Sequence, residues 1–239
     1  MTQPGPDIIV VIPIYNEEAN IQKVALEWNT ALASTGASFQ ILAINDGSRD
    51  GTAAVIDQLS AKIPAIRAIH KANSGHGRSC RHGYEMALRE GARWIFQIDS
   101  DGQCDPSYFS EFWAQKDGHD CVFGFRSERG DGMGRKLIQI CCRWATGFAT
   151  LKDLKDPNVP YRLMRREVME KAIAGIPADF NLQNIALTLR LFRQKEVRWK
   201  FIPIKFRPRQ GGSNSINYLN IISLGWEMLG DLKRLRREP

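Results

Sequence analysis

Short runs of β-branched and apolar residues alternate with segments of helical periodicity through the first hundred residues. Few folds accommodate that recurrence. Ile8-Ile9-Val10-Val11-Ile12 is near-continuous, the pattern of a strand buried on both faces, and Pro13 ends it. Ile21, Val24, Ala25, Trp28 and Leu32 follow at helical spacing. Asn16 is placed to cap that helix, with Glu17 and Glu18 in its first turn. Phe39 to Ile44 reads as a second strand, and Ala54, Val55, Ile56 and Leu59 mark a second helix. A short strand at Ile66–His70 precedes a helix from about Cys80 to Arg89, which Gly91 closes. Trp94-Ile95-Phe96-Gln97-Ile98 is a fourth strand. The order β-α-β-α-β-α-β predicts an α/β fold with a mostly parallel open sheet flanked by helices.

The fourth strand runs into Asp99-Ser100-Asp101-Gly102-Gln103-Cys104-Asp105-Pro106. Ligands of open α/β sheets bind at the carboxyl ends of strands. Asp99 and Asp101 are two apart, so on extended chain they share a face. Carboxylate and amide oxygens suit a hard cation such as Mg²⁺ or Mn²⁺, usually shared with phosphates. A solvated acidic turn gives the same letters. A calcium loop does not, because its sixth position, normally Gly, is Cys104 and its twelfth, normally Glu, is Ser110. Asp105 reads as a cap before Pro106. Gly75-His76-Gly77 supplies only part of a dinucleotide fingerprint, since the third glycine position is Cys80, and there is no P-loop.

After the acidic motif, Tyr108, Phe109, Phe112 and Trp113 form an aromatic stripe read as core. Cys121–Phe125 is a further strand ending at Arg126. Ser127–Gly134 is a Gly-rich charged loop, and a helix carries Leu137, Ile138, Trp144 and Phe148. Helices are expected over 166–174 and 182–193. Val197–Phe206 is expected as a strand pair, or one long strand interrupted by Pro203.

Charge is concentrated. The chain has 239 residues and net charge +7. Residues 190–209 hold Arg190, Arg193, Lys195, Arg198, Lys200, Lys205, Arg207 and Arg209 against Glu196, which is eight minus one, or +7. Such a stretch meets an anionic partner or forms a solvated basic face. Five cysteines, an odd number with no C-x-x-C, argue against a disulfide framework or structural zinc. No stretch reaches the roughly 18 apolar residues of a spanning helix, and the N-terminal apolar run is too short for a secretory signal. These features predict a cytoplasmic protein. An apolar helix from about Ile216 to Arg236 ends in Lys233-Arg234-Leu235-Arg236-Arg237. It suits a membrane interface, packing on its own domain, or a second subunit in a homo-oligomer.

Four blocks in order, Val11-Ile12-Pro13-Ile14-Tyr15-Asn16-Glu17-Glu18, Asn45-Asp46-Gly47-Ser48-Arg49-Asp50-Gly51-Thr52, Asn73-Ser74-Gly75-His76-Gly77 and Asp99-Ser100-Asp101-Gly102-Gln103, resemble the family 2 glycosyltransferases of GT-A fold. The resemblance is greatest to the dolichyl-phosphate mannose synthase and polyprenyl-phosphate glycosyltransferase branch. It implies a glycosyltransferase domain over 1–212 and a C-terminal amphipathic helix with a basic tail over 213–239. It implies donor binding by Pro13, Tyr15, Glu17, Asp46, Asp99, Asp101 and Arg209. Asp101 and Gln103 would hold Mg²⁺ or Mn²⁺, and Asp101, Arg126 and Arg209 would be catalytic. Arg126, Arg135 and Ser213 would meet the acceptor phosphate, and Arg209, Gly212 and Ser213 resemble the family's R-x-x-G-x-S loop. Tyr161-Arg162 stands where this branch has an aromatic-Arg pair, with Val159-Pro160 replacing the usual Ser-Gly.

The implied reaction is inverting transfer of a hexose, with mannose the first candidate, from a GDP- or UDP-activated donor to a polyprenyl phosphate. It would take place on the cytoplasmic face of a membrane, reached through the C-terminal helix or the basic face. Relatives with hydroxyl acceptors usually carry a Glu-Asp pair near Asn181-Leu182-Gln183-Asn184. A hydroxyl needs a base; a lipid phosphate is already anionic. A hydroxyl acceptor, with Asp179 as base, is the alternative. A non-catalytic anion-binding module is a third reading, and nucleic acid is disfavoured because no RNA-binding motif accompanies the charge.

Overall fold

The computed structural model describes residues 5–126, 156, 159–178, 180 and 183–208. The expected boundary at 212, the final helix and the 127–155 segment lie outside them.

The first half alternates as the sequence predicts: β1 (Ile8–Ile14), α1 (Ile21–Ala33), β2 (Phe39–Asp46), α2 (Thr52–Lys62), β3 (Ile66–Lys71), α3 (His76–Arg89) and β4 (Trp94–Ile98). A short 3₁₀ turn at Pro106–Tyr108 leads into α4 (Phe109–Ala114), and β5 (Cys121–Arg126) follows. Then come β6 (Tyr161–Arg165), α5 (Arg166–Ala174), α6 (Gln183–Arg193) and β7 (Trp199–Ile204). The strands form one seven-stranded sheet of order β3-β2-β1-β4-β6-β5-β7. β1 pairs in parallel with β2 and β4, β2 with β3, and β5 with β7. Only β6 runs against its described neighbours, β4 and β5.

Every residue of β1 and β4 is buried, which is why both read as uninterrupted apolar runs. The helices cover the sheet through their periodic faces; α1 buries Ile21, Val24, Ala25, Trp28 and Leu32. Trp28 packs against Phe96, Phe109 and Tyr161 with ring centroids 5.3, 5.9 and 5.6 Å apart. Phe112 lies 4.6 Å from Tyr161. The aromatic stripe is therefore core at Phe109 and Phe112, while Tyr108 and Trp113 pack at its rim. On the other side, α3 approaches closely at Gly83, where a Cβ would stand 2.4 Å from Val11 Cγ1 and 2.6 Å from Ile44 Cδ1.

Two local expectations are corrected and one open alternative is resolved. α1 starts at Ile21 after Asn20, not after Asn16. Asn16 instead takes the left-handed conformation, φ 54°. α3 starts a turn earlier than Cys80, because Gly75 at φ 94° turns the chain directly into His76. Within Val197–Phe206 the single-strand alternative holds, as β7 over Trp199–Ile204, whose described pairing is with β5 alone, so Pro203 costs no second ladder.

The basic stretch is also partly internal. Arg198 forks onto Asp120 through Nε and Nη2, at 3.0 and 2.9 Å. Arg207 bridges Glu27 at 2.7 Å and Asp105 at 2.8 Å. Arg190 donates to the Gly175 carbonyl. These three arginines tie segments of the fold together, so their charge is not simply a solvated face.

Candidate active site

β1 is the point at which strand order reverses. The chain winds from β1 through β2 to β3, then returns to place β4 on the other side of β1. Loops leaving adjacent strands in opposite directions open a crevice at their carboxyl ends. There the protein has a cavity of about 340 Å³. Pro13, Tyr15 and Glu17 come from the end of β1, and Asp46 from the end of β2. Gly75, His76 and Ser79 belong to the start of α3, and Asp99 and Asp101 follow β4.

The loops are fixed to one another largely through main-chain hydrogen bonds. The Asn16 N–H donates to Ser48 Oγ at 3.0 Å, and the Arg49 N–H to Asn16 Oδ1 at 2.8 Å. The Glu17 N–H donates to Thr52 Oγ1 at 2.9 Å and the Gly51 N–H to Glu18 Oε2 at 2.8 Å. A Cβ on Gly51 would stand 2.4 Å from Glu18 Oε1. Much of the second sequence block is thus needed for loop closure. Asn45 Oδ1 accepts from the Ser48 N–H at 3.0 Å. Gly47 combines φ 67° with a gap to Asn73 too small for a side chain.

Asp46 is the knot of the adjoining wall. Its carboxylate pairs with Lys71 and accepts the Ser74 N–H at 2.9 Å and the Gly75 N–H at 2.8 Å. Burial raises the pKa of Asp46, but these donors outweigh it and hold the carboxyl below its ordinary value. Lys71 sits opposite Asp46 in the β2–β3 register. Sequence reading missed this lysine, although strand pairing at that register would have found it. Glu17 is buried and accepts from Asn20 Nδ2 at 2.7 Å. Tyr15 is among the exposed large hydrophobic residues, at 38%, and offers an aromatic face at the mouth.

Asp99 Oδ1 receives Gln97 Nε2 at 3.2 Å and lies 3.0 Å from His76 Nε2. His76 had no assigned role in the sequence reading. Its one signal was a titratable ring in the loop opening α3. The Cys80 sulfur, 3.8 Å from His76 Nδ1, favours the imidazolium. Desolvation opposes it and the Asp99 carboxylate reinforces it, so the pKa stands well above the ordinary value. Asp101 Oδ1 accepts the Gln103 N–H at 3.0 Å, and Gly102 turns the chain there at φ 77°. Asp105 caps the following turn through the Ser107 N–H, at 2.9 Å.

Pro13, Tyr15, Glu17, Asp46, Asp99 and Asp101 therefore share one cavity wall. Gln103 is set back from it, with Nε2 3.4 Å from the Arg207 carbonyl. Arg126 is also off the wall, 3.8 Å from Asp156 Oδ2 and stacked 4.8 Å over Phe206. Arg135, Asp179, Arg209, Gly212 and Ser213 lie outside the described residues. Among the described residues, no group of three or more His, Cys, Asp and Glu side chains is arranged to hold a metal alone. The donors on the wall, the Asp99 and Asp101 carboxylates, fit Mg²⁺ or Mn²⁺ shared with a ligand's phosphates, with the Gln103 amide set back from them.

A mostly parallel sheet with an acidic crevice at its switch point and a D-x-D turn after β4 is the arrangement the resemblance to GT-A glycosyltransferases implies. The profile described as Glycosyl transferase family 2 matches residues 9–173, and the chain belongs to that family. It is 27% identical to polyprenol monophosphomannose synthase of Mycolicibacterium smegmatis over 252 residues, covering 98% of this chain and 92% of the relative. Its fold is similar to glucosyl-3-phosphoglycerate synthase from Mycobacterium tuberculosis, solved with Mn²⁺, UDP and phosphoglyceric acid. The TM-score is 0.71 at 17% identity, covering 98% of this chain and 80% of that one. TarS from S. aureus, in complex with UDP, matches with a TM-score of 0.59 at 17% identity, covering 84% of this chain and 59% of that one.

Proposed function

We propose that this glycosyltransferase moves a hexose, with mannose the first candidate, from a GDP- or UDP-activated donor to a polyprenyl phosphate. The observation that carries the reading is the end-to-end similarity to a polyprenol monophosphomannose synthase, together with a crevice wall that gathers Glu17, Asp46, Asp99 and Asp101. Tyr15 offers its face to the base, and Glu17 and Asp46 accept hydrogen bonds from the nucleoside. Asp99 takes the ribose end. Asp101 and Gln103 would hold a divalent cation, which when bound neutralises the leaving nucleoside diphosphate.

In the proposed step, an acceptor phosphate oxygen forms a bond to the anomeric carbon as the bond from that carbon to the diphosphate oxygen breaks. The electron pair leaves with the nucleoside diphosphate, and configuration inverts. The acceptor is anionic at neutral pH, so no side chain needs to remove a proton. Arg126, Arg135, Arg209 and Ser213 are assigned to hold phosphate oxygens, for which the planar guanidinium fork is well matched. Gln183 and Asn184 agree with this reading, since neither is a base. Gln183 Nε2 donates to the Phe180 carbonyl at 2.8 Å, and Asn184 is buried.

Among the described residues, no helix is long and apolar enough to cross a membrane. The lipid acceptor is proposed to be met at a cytoplasmic membrane face by the C-terminal helix or basic residues. The test is incubation of the purified protein with polyprenyl phosphate, Mg²⁺ or Mn²⁺ and labelled nucleotide sugars. A labelled, lipid-extractable product from one donor supports the reading. No product from any donor, or a hydroxyl acceptor whose use collapses in Asp179→Asn, overturns it.

A further inference from the structure

Buried polar side chains that the transfer step leaves unused run from the donor crevice to the first turn of α6. Gln97 is 0% exposed, Tyr84 1%, Asn184 6% and Arg162 0%. Gln97 Nε2 donates to Asp99 Oδ1 at 3.2 Å. The Tyr84 hydroxyl lies 3.3 Å from Gln97 Oε1 and 3.1 Å from the side-chain amide of Asn184. Arg162 Nη1 donates to the Asn184 carbonyl at 2.8 Å and to Thr188 Oγ1 at 3.0 Å.

A phenol carries one proton and can donate to one of two oxygens. Turning the Asn184 amide so that its nitrogen faces Tyr84 removes the conflict, because amide oxygen and nitrogen are placed from the network. Every member then donates in one direction: Asn184 to Tyr84, Tyr84 to Gln97, and Gln97 to Asp99. A buried chain of this kind is favourable only when complete. α3 is its strut. The helix carries His76 against Asp99, Arg81 against the Pro177 carbonyl at 3.2 Å, and Tyr84 in the middle of the chain.

We propose that Tyr84, Gln97 and Asn184 are positioning residues that orient the Asp99 carboxylate in the crevice and hold it in register with the first turn of α6. The proposal rests on the donor reading of the crevice. Tyr84→Phe deletes one hydroxyl and keeps the ring in its slot; Gln97→Leu removes the group that touches Asp99. Binding of UDP and of GDP, each with Mn²⁺, is measured by calorimetry, alongside melting temperature without nucleotide. Met169→Ala, in the buried face of α5, is the control for destabilisation alone.

Both chain variants should weaken binding of the preferred nucleotide about five-fold, the effect of one lost hydrogen bond. Met169→Ala should lower the melting temperature at unchanged affinity. Wild-type affinity in Tyr84→Phe overturns the proposal, and that variant decides alone if Gln97→Leu does not fold. A wild-type protein that binds neither nucleotide refutes the donor reading, and the positioning role with it. Binding in the wild type with both variants unaffected refutes the positioning role only.

Discussion

Asp46 both lines the crevice and ties together the elements around it. Its side chain is 4% exposed, its Lys71 partner 18%, and it also accepts two main-chain N–H groups from the 74–75 turn. Removing one member of so buried a pair should cost about 3 kcal/mol. Asp46→Asn is therefore expected to lower the urea midpoint strongly at neutral pH. The sign with pH follows from the depressed carboxyl. Stability from this group is complete above the ordinary value of 3.8 and is lost as pH falls through the lower folded value. Wild type should thus lose stability from about pH 5 downward, and Asp46→Asn should lack that increment. Denaturation midpoints across acid pH measure both. For Asp101, the expected outcome concerns chemistry instead. Asp101→Ala should lose metal-dependent transfer by about 100-fold or more while melting near wild type. Unchanged turnover would remove Asp101 from the metal site.

Strands β1 to β4 and their helices could be read in the sequence because burial on both faces demands continuous apolar runs, and one-sided burial demands a 3.6-residue period. Helix starts were less legible. Asn16 reads as the cap of α1, but loop 48–52 claims it from 32 and 33 residues away and the helix starts only after Asn20. The buried polar chain was not legible at all. Tyr84 meets Gln97 across 13 residues and Asn184 across 100, and no local pattern marks such partners. Gly83 carries the element-scale prediction. In an exposed helix, Gly→Ala would stabilise by about 1 kcal/mol. Here the new methyl meets Val11 and Ile44 on β1 and β2, and overpacking costs about 1–3 kcal/mol. Gly83→Ala should therefore lower the denaturation midpoint, and a raised midpoint would show that α3 is not tightly seated.

At the scale of the molecule, one sheet carries two halves with different work. The parallel half, β3-β2-β1-β4, opens a crevice at its switch point and gathers acidic groups there. The other half begins where β6 reverses direction, and it positions Arg126 at the end of β5 and the buried Arg162–Asn184 contact. Four spaced sequence blocks were enough to locate the crevice, because each sits where a strand ends. The basic stretch was a poorer guide. Arg190, Arg198 and Arg207 have internal partners that charge counting does not reveal.

The proposed acceptor is a phosphate and needs no protein base. The most direct test offers the enzyme one labelled donor and two lipids of equal chain length, a polyprenyl phosphate and the corresponding polyprenol. Labelled product from the phosphate alone, at a rate unchanged in Asp179→Asn, is the predicted result. Efficient glycosylation of the free alcohol, abolished in Asp179→Asn, would contradict it.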